Sequence, residues 1–579
     1  MLVQHCVYLL VTAASASAAV WPAPASTTTT AAPRGGAAIL LSPGFRIRTG
    51  AAPPPSLARA AERYTALLRF DRGGGGLDHR GGAQYTQYTQ HTPSTTSSTP
   101  AAAAAAAAVF TALDVALDLP SAAGDFAFGD DESYTLSWDL ASSSSITLGA
   151  STCVGALRGL ETFAQLVESD PVHKLVPLAL AHPRGSMSDA PRFPYRGLMM
   201  DLSRHFYPIP FVEHTIDAMV AVKLNVLHLH LTDDQSFPVA STSHPELAEQ
   251  GAFSRPLGLG PDAKRALYTY NASEIAALLQ YAVERGVVVV PEFDMPAHSS
   301  SWGASHPELM VAGGAGCSPH LFQHGDTLDP TNDATYALVA ALLAEMAQTF
   351  GASGNRFLHL GGDEVPTACW ASDPRITQWM VAHGIGKGDY DALESYFVDR
   401  VAKGAGLVAA NRTLMYWEEI FNNNVTLPKT AIIQAWKSNA MPGVVQAGHR
   451  TTNSFGWYLN HGCNNFGDGN WGKFYENDPY RYVANASAAE KTLVLGGETT
   501  MWSECVDAHS FDSIVWPRAA AAAEQLWSPR AMTRKATPET SSRLSELRCR
   551  LVGRGVQAAP IDDSVGAMSP RDLNWGGCM

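Results

Sequence analysis

From Arg196 onward, short apolar segments alternate with segments of helical periodicity, and few folds accommodate that alternation. Apolar strands separated by helical crossovers are typical of a parallel sheet covered on both faces. The helical segments include residues 211–223, 273–285 and 336–350. Eight strand candidates favour a closed (β/α)8 TIM barrel, an α/β fold, over an open doubly wound sheet. The candidates are residues 197–201, 225–231, 287–293, 356–361, 413–418, 431–436, 451–458 and 493–502.

The part of the chain before the barrel predicts a small α+β domain over residues 19–190. Its helix and strand candidates are residues 58–68, 110–119, 134–140 and 156–167. Residues 71–108 are low in complexity, with Gly, Ser/Thr/Pro and Ala runs, and bury too little apolar surface to offset their ordering entropy. We therefore predict a disordered surface insert at 71–108 and a barrel domain over residues 191–579.

The distribution of charge argues against two classes of partner. The 579 residues carry a formal net charge of −14, and Lys and Arg form no basic run. Nucleic acids and anionic membrane surfaces attract basic patches. We therefore expect neither as a partner.

The first residues indicate entry into the secretory pathway. Residues 1–18 place small residues after an apolar stretch, which predicts a signal peptide, and no later segment is long and apolar enough to span a bilayer. Asn-x-Ser/Thr sequons fit this route and occur at Asn271, Asn411, Asn424 and Asn485. The expected destination is a lysosome, a vacuole or the outside of the cell.

The cysteines fit an oxidising compartment. Loss of Cys6 with the signal peptide would leave seven of the eight cysteines, for which we expect three disulfides and one spare thiol. The candidate pairs are Cys549 with Cys578, Cys317 with Cys369, and Cys463 with Cys505, with Cys153 left over. The sequence alone leaves this connectivity open.

Polar and aromatic residues follow every one of the predicted barrel strands. In a barrel, the C-terminal strand ends and the loops after them meet on one face, where active sites lie. A single Trp or His at a strand end is usually structural, but packing does not explain such residues at all eight ends. The set is Ser203-Arg204-His205; Asp233-Asp234; Glu292, Asp294 and His298; Asp363-Glu364; Trp417-Glu418-Glu419; Trp436; Trp457, Tyr458 and Asn460; and Trp502 and Glu504.

These side chains point to a carbohydrate substrate. Trp and Tyr offer flat apolar faces to a pyranose ring, Arg and Glu hold hydroxyls, and a carboxylic acid with a raised pKa protonates a glycosidic oxygen. The sequence has no H-E-x-x-H motif, no His cluster at metal-ligand spacing and no Gly-rich phosphate loop. We therefore predict neither a bound metal nor a nucleotide.

Asp363 and Glu364 are adjacent, and this adjacency narrows the mechanism. An ordinary retaining glycosidase places two carboxyl groups about 5–5.5 Å apart across the scissile bond, normally from different strands. Neighbouring residues at one strand end do not easily flank a sugar in that way. We therefore predict that one carboxyl acts on the glycosidic oxygen while the other handles a substituent of the substrate.

Several ordered segments resemble those of one family. They are Arg196-Gly-Leu with Asp201-Leu-Ser-Arg-His205, Lys223-Leu-Asn-Val-Leu-His-Leu-His-Leu-Thr-Asp-Asp-Gln-Ser-Phe-Pro238, Pro291-Glu-Phe-Asp-Met-Pro-Ala-His298, His359-Leu-Gly-Gly-Asp-Glu-Val365, Tyr416-Trp-Glu-Glu419, Ile433-Gln-Ala-Trp436 and Gly496-Gly-Glu-Thr-Thr-Met-Trp-Ser-Glu504. With these segments the chain resembles the β-N-acetylhexosaminidases of glycoside hydrolase family 20, which include eukaryotic lysosomal and secreted enzymes. The resemblance covers the whole predicted barrel, and residues 155–163 resemble the end of the family's N-terminal domain.

The resemblance implies an exo-acting enzyme that releases terminal, non-reducing GlcNAc or GalNAc from glycoconjugates or chito-oligosaccharides with retention of configuration. Glu364 would be the general acid and then the base, and Asp363 would orient the 2-acetamido group whose carbonyl oxygen attacks C1 to form an oxazolinium ion. Tyr458 would donate a hydrogen bond to that carbonyl oxygen, and Trp417, Trp436 and Trp502 would form the walls of the pocket. Arg204 and Glu504 would contact the ring hydroxyls. Asp233 and His298 would form a relay behind Glu364.

The sequence departs from the family pattern at two positions near these segments. Ala297 replaces the usual Gly, and Asn460 stands where some relatives carry Asp, which affects the expected contact to the 6-position of the sugar. The implied mechanism needs no cofactor. Because dimers are common among relatives, a homodimer is a candidate assembly.

Two other interpretations stay open at this point. The first is a catalytically inactive barrel retained as a glycan-binding protein, although a pure binder has no need of the acid. The second is a barrel glycosidase with two carboxylates on separate strands, an interpretation that the Asp233-Asp234 pair supports.

Overall fold

The computed structural model describes most of the chain but not all of it. The described residues are 20–29, 40–70, 109–117, 126–167, 184–257, 265–313, 317, 327–351, 354–407, 410–437, 440–463, 467–561 and 578. The predicted signal peptide at 1–18 and the predicted insert at 71–108 lie outside these residues.

The described residues fall into two compact units, the first drawn from residues 1–20, 24–121 and 133–189. This unit contains a six-stranded sheet with the strand order β1-β6-β4-β5-β3-β2. The strands are β1 (Ser26–Thr29), β2 (Leu40–Arg48), β3 (Val109–Leu117), β4 (Tyr134–Asp139), β5 (Ser145–Ala150) and β6 (Arg184–Asp189), and the helices are α1 (Pro55–Phe70) and α2 (Cys153–Leu166). Parallel pairing of β3 with β5 and antiparallel pairing of β4 with both β5 and β6 make this an α+β unit.

The second unit, drawn from residues 21–23, 122–132 and 190–579, contains a closed barrel of eight parallel strands. They are β7 (Tyr195–Asp201), β8 (Val226–Thr232), β11 (Val288–Phe293), β12 (Phe357–His359), β13 (Thr413–Trp417), β14 (Ile432–Ala435), β15 (Arg450–Asn453) and β16 (Val494–Met501). A separate hairpin pairs β9 (Ser254–Pro256) with β10 (Arg265–Leu267). The predicted (β/α)8 barrel after a small α+β unit is therefore confirmed.

Helices connect and cover the barrel strands. They are α3 (Ile209–Ala221), α4 (Pro245–Gly251), α5 (Ala272–Val283), α6 (Asp333–Gly351), α7 (Thr367–Ser372), α8 (Pro374–Ala382), α9 (Tyr390–Gly404), α10 (Glu418–Asn422), α11 (Ala440–Gln446), α12 (Trp471–Glu476), α13 (Pro479–Tyr482), α14 (Ala488–Lys491), α15 (Phe511–Val515), α16 (Arg518–Trp527) and α17 (Pro538–Gly553), with short 3-10 turns at Trp302–Ala304 and Pro307–Leu309. Strands β8 and β11 are buried along their whole length, including the polar side chains of His228, His230 and Glu292. No helix among the described residues is long and apolar enough to cross a membrane.

The three candidate disulfides are present in the structure. Cys317 pairs with Cys369, Cys463 with Cys505, and Cys549 with Cys578. Cys153 stays outside these pairs. The structure therefore contains all three of the disulfide pairings that the sequence offered as candidates.

A buried ion pair supports the start of β7. The Arg196 guanidinium donates to Glu132 Oε2 at 2.6 Å, and both side chains are almost fully buried. Glu132 also accepts from Asn225 Nδ2 at 3.1 Å. We expect Glu132→Ala to lower the free energy of unfolding by about 3–5 kcal/mol, because it leaves the Arg196 charge buried without its carboxylate. Urea unfolding followed by tryptophan fluorescence measures this change.

The matched control is the exposed pair formed by Lys403 Nζ and Asp399 Oδ2, 2.8 Å apart. Exposed pairs contribute at most about 1 kcal/mol, so Asp399→Ala is expected to leave the unfolding midpoint nearly unchanged. Equal midpoint shifts in the two variants would contradict a stabilising role for the buried pair.

Glu394 in α9 makes the stability of the fold depend on pH. Its side chain is buried, and Oε2 accepts a hydrogen bond from Asn423 Nδ2 at 2.8 Å. Burial raises the pKa of Glu394 to about 7. Since an unfolded Glu has a pKa near 4.3, the folded state binds more protons between about pH 4.3 and pH 7. The stability contributed by protonated Glu394 is therefore complete below this window and is lost as the pH rises through it.

We expect the melting temperature to fall between pH 5 and pH 8, and Glu394→Gln to remove part of that fall. Glutamine keeps the acceptor for Asn423 but cannot ionise, so the variant gains up to about 3 kcal/mol over the wild type at pH 8. Thermal unfolding at both pH values tests this expectation, with the exposed Glu249→Gln as control. A Glu394→Gln protein that loses as much stability as the wild type between the two pH values would refute it.

Candidate active site

Asp363 and Glu364 follow β12 at the C-terminal face of the barrel, after two glycines in positive-φ conformations. Gly361 has φ +64°, and a Cβ atom there would lie 1.6 Å from Asp294 Oδ1. Only glycine allows this close approach. The Gly361-Gly362 pair thus lets the chain pass against Asp294 and turn its two carboxylates toward the barrel mouth.

The two adjacent carboxylates have different environments. The Asp363 side chain is 9% exposed and that of Glu364 is 54% exposed. His298 Nε2 lies 3.8 Å from Asp363 Oδ2 and 3.8 Å from Glu364 Oε2. Both His298 and Glu364 have left-handed backbone conformations, with φ values of 53° and 52°, which non-glycine residues adopt only where the surrounding structure enforces them. The Asp363 carboxylate is therefore held inside the site, whereas the Glu364 carboxylate is accessible to an oxygen of a substrate.

Asp233 stands behind His298 and fixes its orientation. Asp233 Oδ1 lies 3.3 Å from His298 Nδ1, while Oδ2 accepts from His230 Nε2 at 2.9 Å and pairs with Arg204 at 2.6 Å. Burial alone would raise the pKa of Asp233, but Arg204 and His298 outweigh it and hold that pKa well below its usual range. Burial likewise opposes charge on His298, but Asp233 and Asp363 raise its pKa well above the ordinary value. His298 is therefore an imidazolium with carboxylates on both sides.

Asp294 is a partner of Asp363 whose role the sequence did not indicate. It is buried, and its Oδ1 accepts from the Gly362 amide at 3.0 Å. Burial first and the nearby Asp363 second raise the pKa of Asp294 well above its usual value, and burial also raises the pKa of Asp363. Two neighbouring buried carboxyls with raised pKa values retain a proton between them. The pair is therefore expected to carry a single negative charge. The place of Asp294 at the end of the third barrel strand was the only sequence signal.

Four aromatic side chains lie close together near Asp363, and the part of the barrel mouth that they line is called the recess below. The ring centroids of Trp417 and Trp436 are 6.3 Å apart, those of Trp436 and Tyr458 are 5.7 Å apart, and Trp502 lies 6.1 Å from Trp417 and 6.4 Å from Tyr458. Burial raises the pKa of Tyr458 well above its ordinary value, with Asp363 adding to the shift, so its hydroxyl stays protonated and remains a donor. The structure therefore brings together Trp417, Trp436, Tyr458 and Trp502. Trp457, also a strand-end candidate, is fully buried and donates through Nε1 to the Phe474 carbonyl at 2.9 Å.

Arg204 and Glu504 lie at one side of this recess. The Arg204 guanidinium is 5.1 Å from the Trp502 ring and pairs with Asp201 at 3.0 Å. Burial opposes its charge, but Asp233, Asp201 and the exposed Glu504 raise the pKa of Arg204, so it remains a cation. Both side chains can therefore offer charged hydrogen bonds to hydroxyl groups.

The Asn460 side chain forms hydrogen bonds to the backbone of Trp502. Its Nδ2 donates to the Trp502 carbonyl at 2.7 Å, and its Oδ1 accepts from the Trp502 amide at 3.0 Å. The side chain is buried, and it joins the loop after β15 to the end of β16. The predicted contact between Asn460 and the substrate stays a prediction.

A buried polar cluster beneath the recess supports its floor. Glu292 Oε1 accepts from Trp417 Nε1 at 2.8 Å and lies 3.0 Å from His359 Nδ1, while Oε2 lies 2.6 Å from His230 Nδ1 and 3.0 Å from His228 Nε2. Burial opposes the negative charge, but the three histidines outweigh it and hold the pKa of Glu292 well below its usual range. His228, Glu292 and His359 are fully buried, and the Glu292 carboxylate is already engaged by His230 and by the indole of Trp417.

The Asp233-Asp234 pair does not provide the alternative two-carboxylate arrangement. Both side chains are buried. The Asp233 carboxylate is engaged by Arg204 and His230, and Asp234 Oδ1 accepts from the Ser300 amide at 2.9 Å. These two carboxylates therefore bind neighbouring protein groups and do not face each other across a substrate bond.

Comparisons with known proteins agree with this geometry. Residues 193–530 match the family model of the glycosyl hydrolase family 20 catalytic domain, and residues 20–166 match a model described as beta-acetyl hexosaminidase like. The chain is 35% identical to beta-hexosaminidase subunit beta of Mus musculus over 77% of its own length and 78% of that protein. It is 35% identical to beta-hexosaminidase 3 of Arabidopsis thaliana over 76% of its length and 77% of that protein.

The architecture also matches solved structures. The Flavobacterium johnsoniae chitobiase superposes with a TM-score of 0.72 at 29% identity, covering 93% of this chain and 73% of that one. The similarity therefore extends over both units of the fold.

Proposed function

The chain belongs to glycoside hydrolase family 20 and is a glycosidase, and we propose that it is an exo-β-N-acetylhexosaminidase acting on terminal, non-reducing GlcNAc or GalNAc. The observation that carries this proposal is the contrast between adjacent carboxylates, since the Asp363 side chain is buried and that of Glu364 is exposed. That contrast suits a reaction in which the substrate supplies its own nucleophile.

In the first step, we assign Glu364 as the acid. Its proton passes to the glycosidic oxygen as the bond from that oxygen to C1 breaks, and the acetamide carbonyl oxygen forms the new bond to C1. In the second step, Glu364 takes a proton from water, whose oxygen attacks C1 and reopens the oxazolinium ring. Two displacements at C1 retain the configuration.

Asp363 and Tyr458 are assigned to the acetamide. An anionic Asp363, accompanied by the proton on Asp294, would accept from the acetamide N–H and stabilise the positive charge of the oxazolinium ion. The Tyr458 hydroxyl would donate to the carbonyl oxygen and hold it in line with C1. Because both side chains are buried, these interactions act with little competition from water.

The other site residues are assigned to positioning and to the sugar ring. His298 and Asp233 would adjust the proton affinity of Glu364, since the imidazolium faces its carboxylate at 3.8 Å. Trp417, Trp436 and Trp502 would enclose the acetamide and the pyranose ring. Arg204 and Glu504 would form hydrogen bonds to ring hydroxyls, and Asn460 would contact the 6-position of the sugar. This mechanism requires no cofactor.

The domain division, the destination and the assembly belong to the same proposal. We assign residues 1–18 to a signal peptide, 19–190 to the N-terminal domain and 191–579 to the catalytic domain, while residues 21–23 and 122–132 belong to the compact unit of the barrel. Three disulfides support a secretory route that ends in a lysosome, a vacuole or outside the cell. The mammalian relatives are hexosaminidase subunits, which supports a homodimer, and sedimentation of the purified protein would reveal it.

The test of the activity compares a chromogenic β-GlcNAc substrate with its β-glucose counterpart from mildly acidic to neutral pH. We expect cleavage of the acetamido sugar alone, because glucose has no acetamide to act as nucleophile. Cleavage of both sugars would mean that an enzyme carboxylate is the nucleophile and would overturn the assignment of Asp363. If the folded protein cleaved neither, a glycan-binding barrel would become the better account.

A further inference from the structure

Two His-Pro-Glu-Leu turns, outside the residues assigned to catalysis, come together in the fold. His244-Pro-Glu-Leu247 lies in the loop after β8 and opens α4, and His306-Pro-Glu-Leu309 lies in the loop after β11 and forms a 3-10 turn. The same four residues thus occur in two loops that the barrel places side by side. None of these residues has a part in the proposed hydrolysis.

The side chains of the two turns converge on one carboxylate oxygen. Glu246 Oε1 lies 3.0 Å from His244 Nδ1 and 3.0 Å from His306 Nε2. The two imidazole rings are 6.2 Å apart and nearly perpendicular, at 85°. Two ring nitrogens and a carboxylate oxygen therefore face a common point, with all three atoms within 4.8 Å of one another.

These distances are close to those that a zinc ion requires. Zinc binds imidazole nitrogen at about 2.0–2.1 Å and carboxylate oxygen at about 2.0–2.2 Å, so the ligands of a tetrahedral site are roughly 3.3–3.5 Å apart. The two nitrogen–oxygen distances of 3.0 Å are a few tenths of an ångström shorter than this ligand spacing, and the two ring nitrogens lie within 4.8 Å of each other. Two imidazoles with one carboxylate suit Zn²⁺, Ni²⁺ or Cu²⁺ better than Mg²⁺ or Ca²⁺, which prefer oxygen ligands alone.

A second carboxylate orients one of the histidines. Glu308 Oε1 lies 2.9 Å from His306 Nδ1, on the side of the ring away from Glu246. Metal-bound histidines commonly donate their other N–H to a carboxylate, which fixes the tautomer and the direction of the ring. Glu308 thus holds His306 with Nε2 directed at the convergence point.

We propose that His244, Glu246 and His306 form a binding site for a divalent transition-metal ion, with Zn²⁺ as the best fit. The three side chains are between 20% and 32% exposed, which leaves the fourth coordination position open to water. The ion joins the loop that carries Asp233 to the loop that carries His298. It is a structural clamp between two loops of the active-site face and takes no part in the chemistry.

The test is a calorimetric titration of metal-free, tag-free protein with Zn²⁺. We expect a saturable site in the wild type, its loss in His244→Ala and in His306→Ala, and its retention in the control His509→Ala, which removes an exposed histidine elsewhere. Glu308→Gln removes no ligand and is expected to weaken Zn²⁺ binding by about 10–100-fold. Mg²⁺ is expected to give no saturable binding.

Hydrolysis of the chromogenic substrate by metal-free protein shows that each variant is folded, and this separates loss of the site from loss of the fold. If His306→Ala fails to fold, Zn²⁺ binding by His244→Ala and Glu308→Gln is compared with that of the wild type instead. Unchanged Zn²⁺ stoichiometry and affinity in the two alanine variants would place the ion on other ligands, such as those around His298, and would overturn the proposal. The absence of saturable binding by the wild type would overturn it as well.

Discussion

Glu364→Gln is expected to lower kcat for an alkyl glycoside of β-GlcNAc by roughly 10²–10⁴, the usual contribution of general acid catalysis. Glutamine fills the same volume but has no proton to give to the departing oxygen. Because the side chain lies at the exposed side of the site, we expect the melting temperature and KM to change little. Steady-state kinetics and thermal unfolding of the variant measure these three quantities.

The identity of the leaving group provides the control. A dinitrophenolate departs without protonation, so the variant should lose much less activity in the glycosylation step with a dinitrophenyl glycoside than with an alkyl one. Burst kinetics separate that step from the hydrolysis of the intermediate, for which Glu364 is the base. An equal loss in the first step for both leaving groups, or a near-normal rate for the alkyl glycoside, would show that the acid has been misassigned.

Asp363→Asn is expected to lower kcat for acetamido substrates by about 10²–10³, comparable to the loss of one group that stabilises transition-state charge. The variant removes the negative charge that faces the forming oxazolinium ion, while its volume stays that of the wild type. The melting temperature is expected to stay within a few degrees of the wild-type value. Unfolding of the variant at assay temperature would instead mean that Asp363 has a structural role.

Asp294→Asn is the matched control for this substitution. Because we assign the proton of the pair to Asp294, asparagine would reproduce its uncharged form, accept from the Gly362 amide through Oδ1 and donate to Asp363 through Nδ2. We expect a far smaller loss of kcat than in Asp363→Asn. Equal losses in the two variants would contradict the assignment of the proton to Asp294.

The barrel was predictable because its signals are local. Strands buried on both faces need continuous apolar runs, and crossover helices need helical spacing, so each element is visible in its own segment. The predicted strand 225–231 corresponds to Val226–Thr232, and 287–293 corresponds to Val288–Phe293.

The seventh barrel strand shows where local signals mislead. The prediction of 451–458 is too long at its end, since β15 stops at Asn453. Gly456 then adopts φ +77° in a turn, and Tyr458 rejoins the sheet only through an isolated bridge to Thr500. The residues beyond Asn453 have the composition of a strand, but they form a turn from which Tyr458 joins Trp436 and Trp502 at the site.

The sequence by itself determined the fold class, the family and the strand ends that carry the site, because these depend on residue types in order along the chain. Only the tertiary structure decided which groups share protons and charges. Asp294 beside Asp363, Glu292 beneath Trp417, and Glu246 between two histidines each join residues from different loops or strands. Barrel closure creates these contacts, and the energies that set a pKa or attract a cation depend on distance and burial, which no local pattern records.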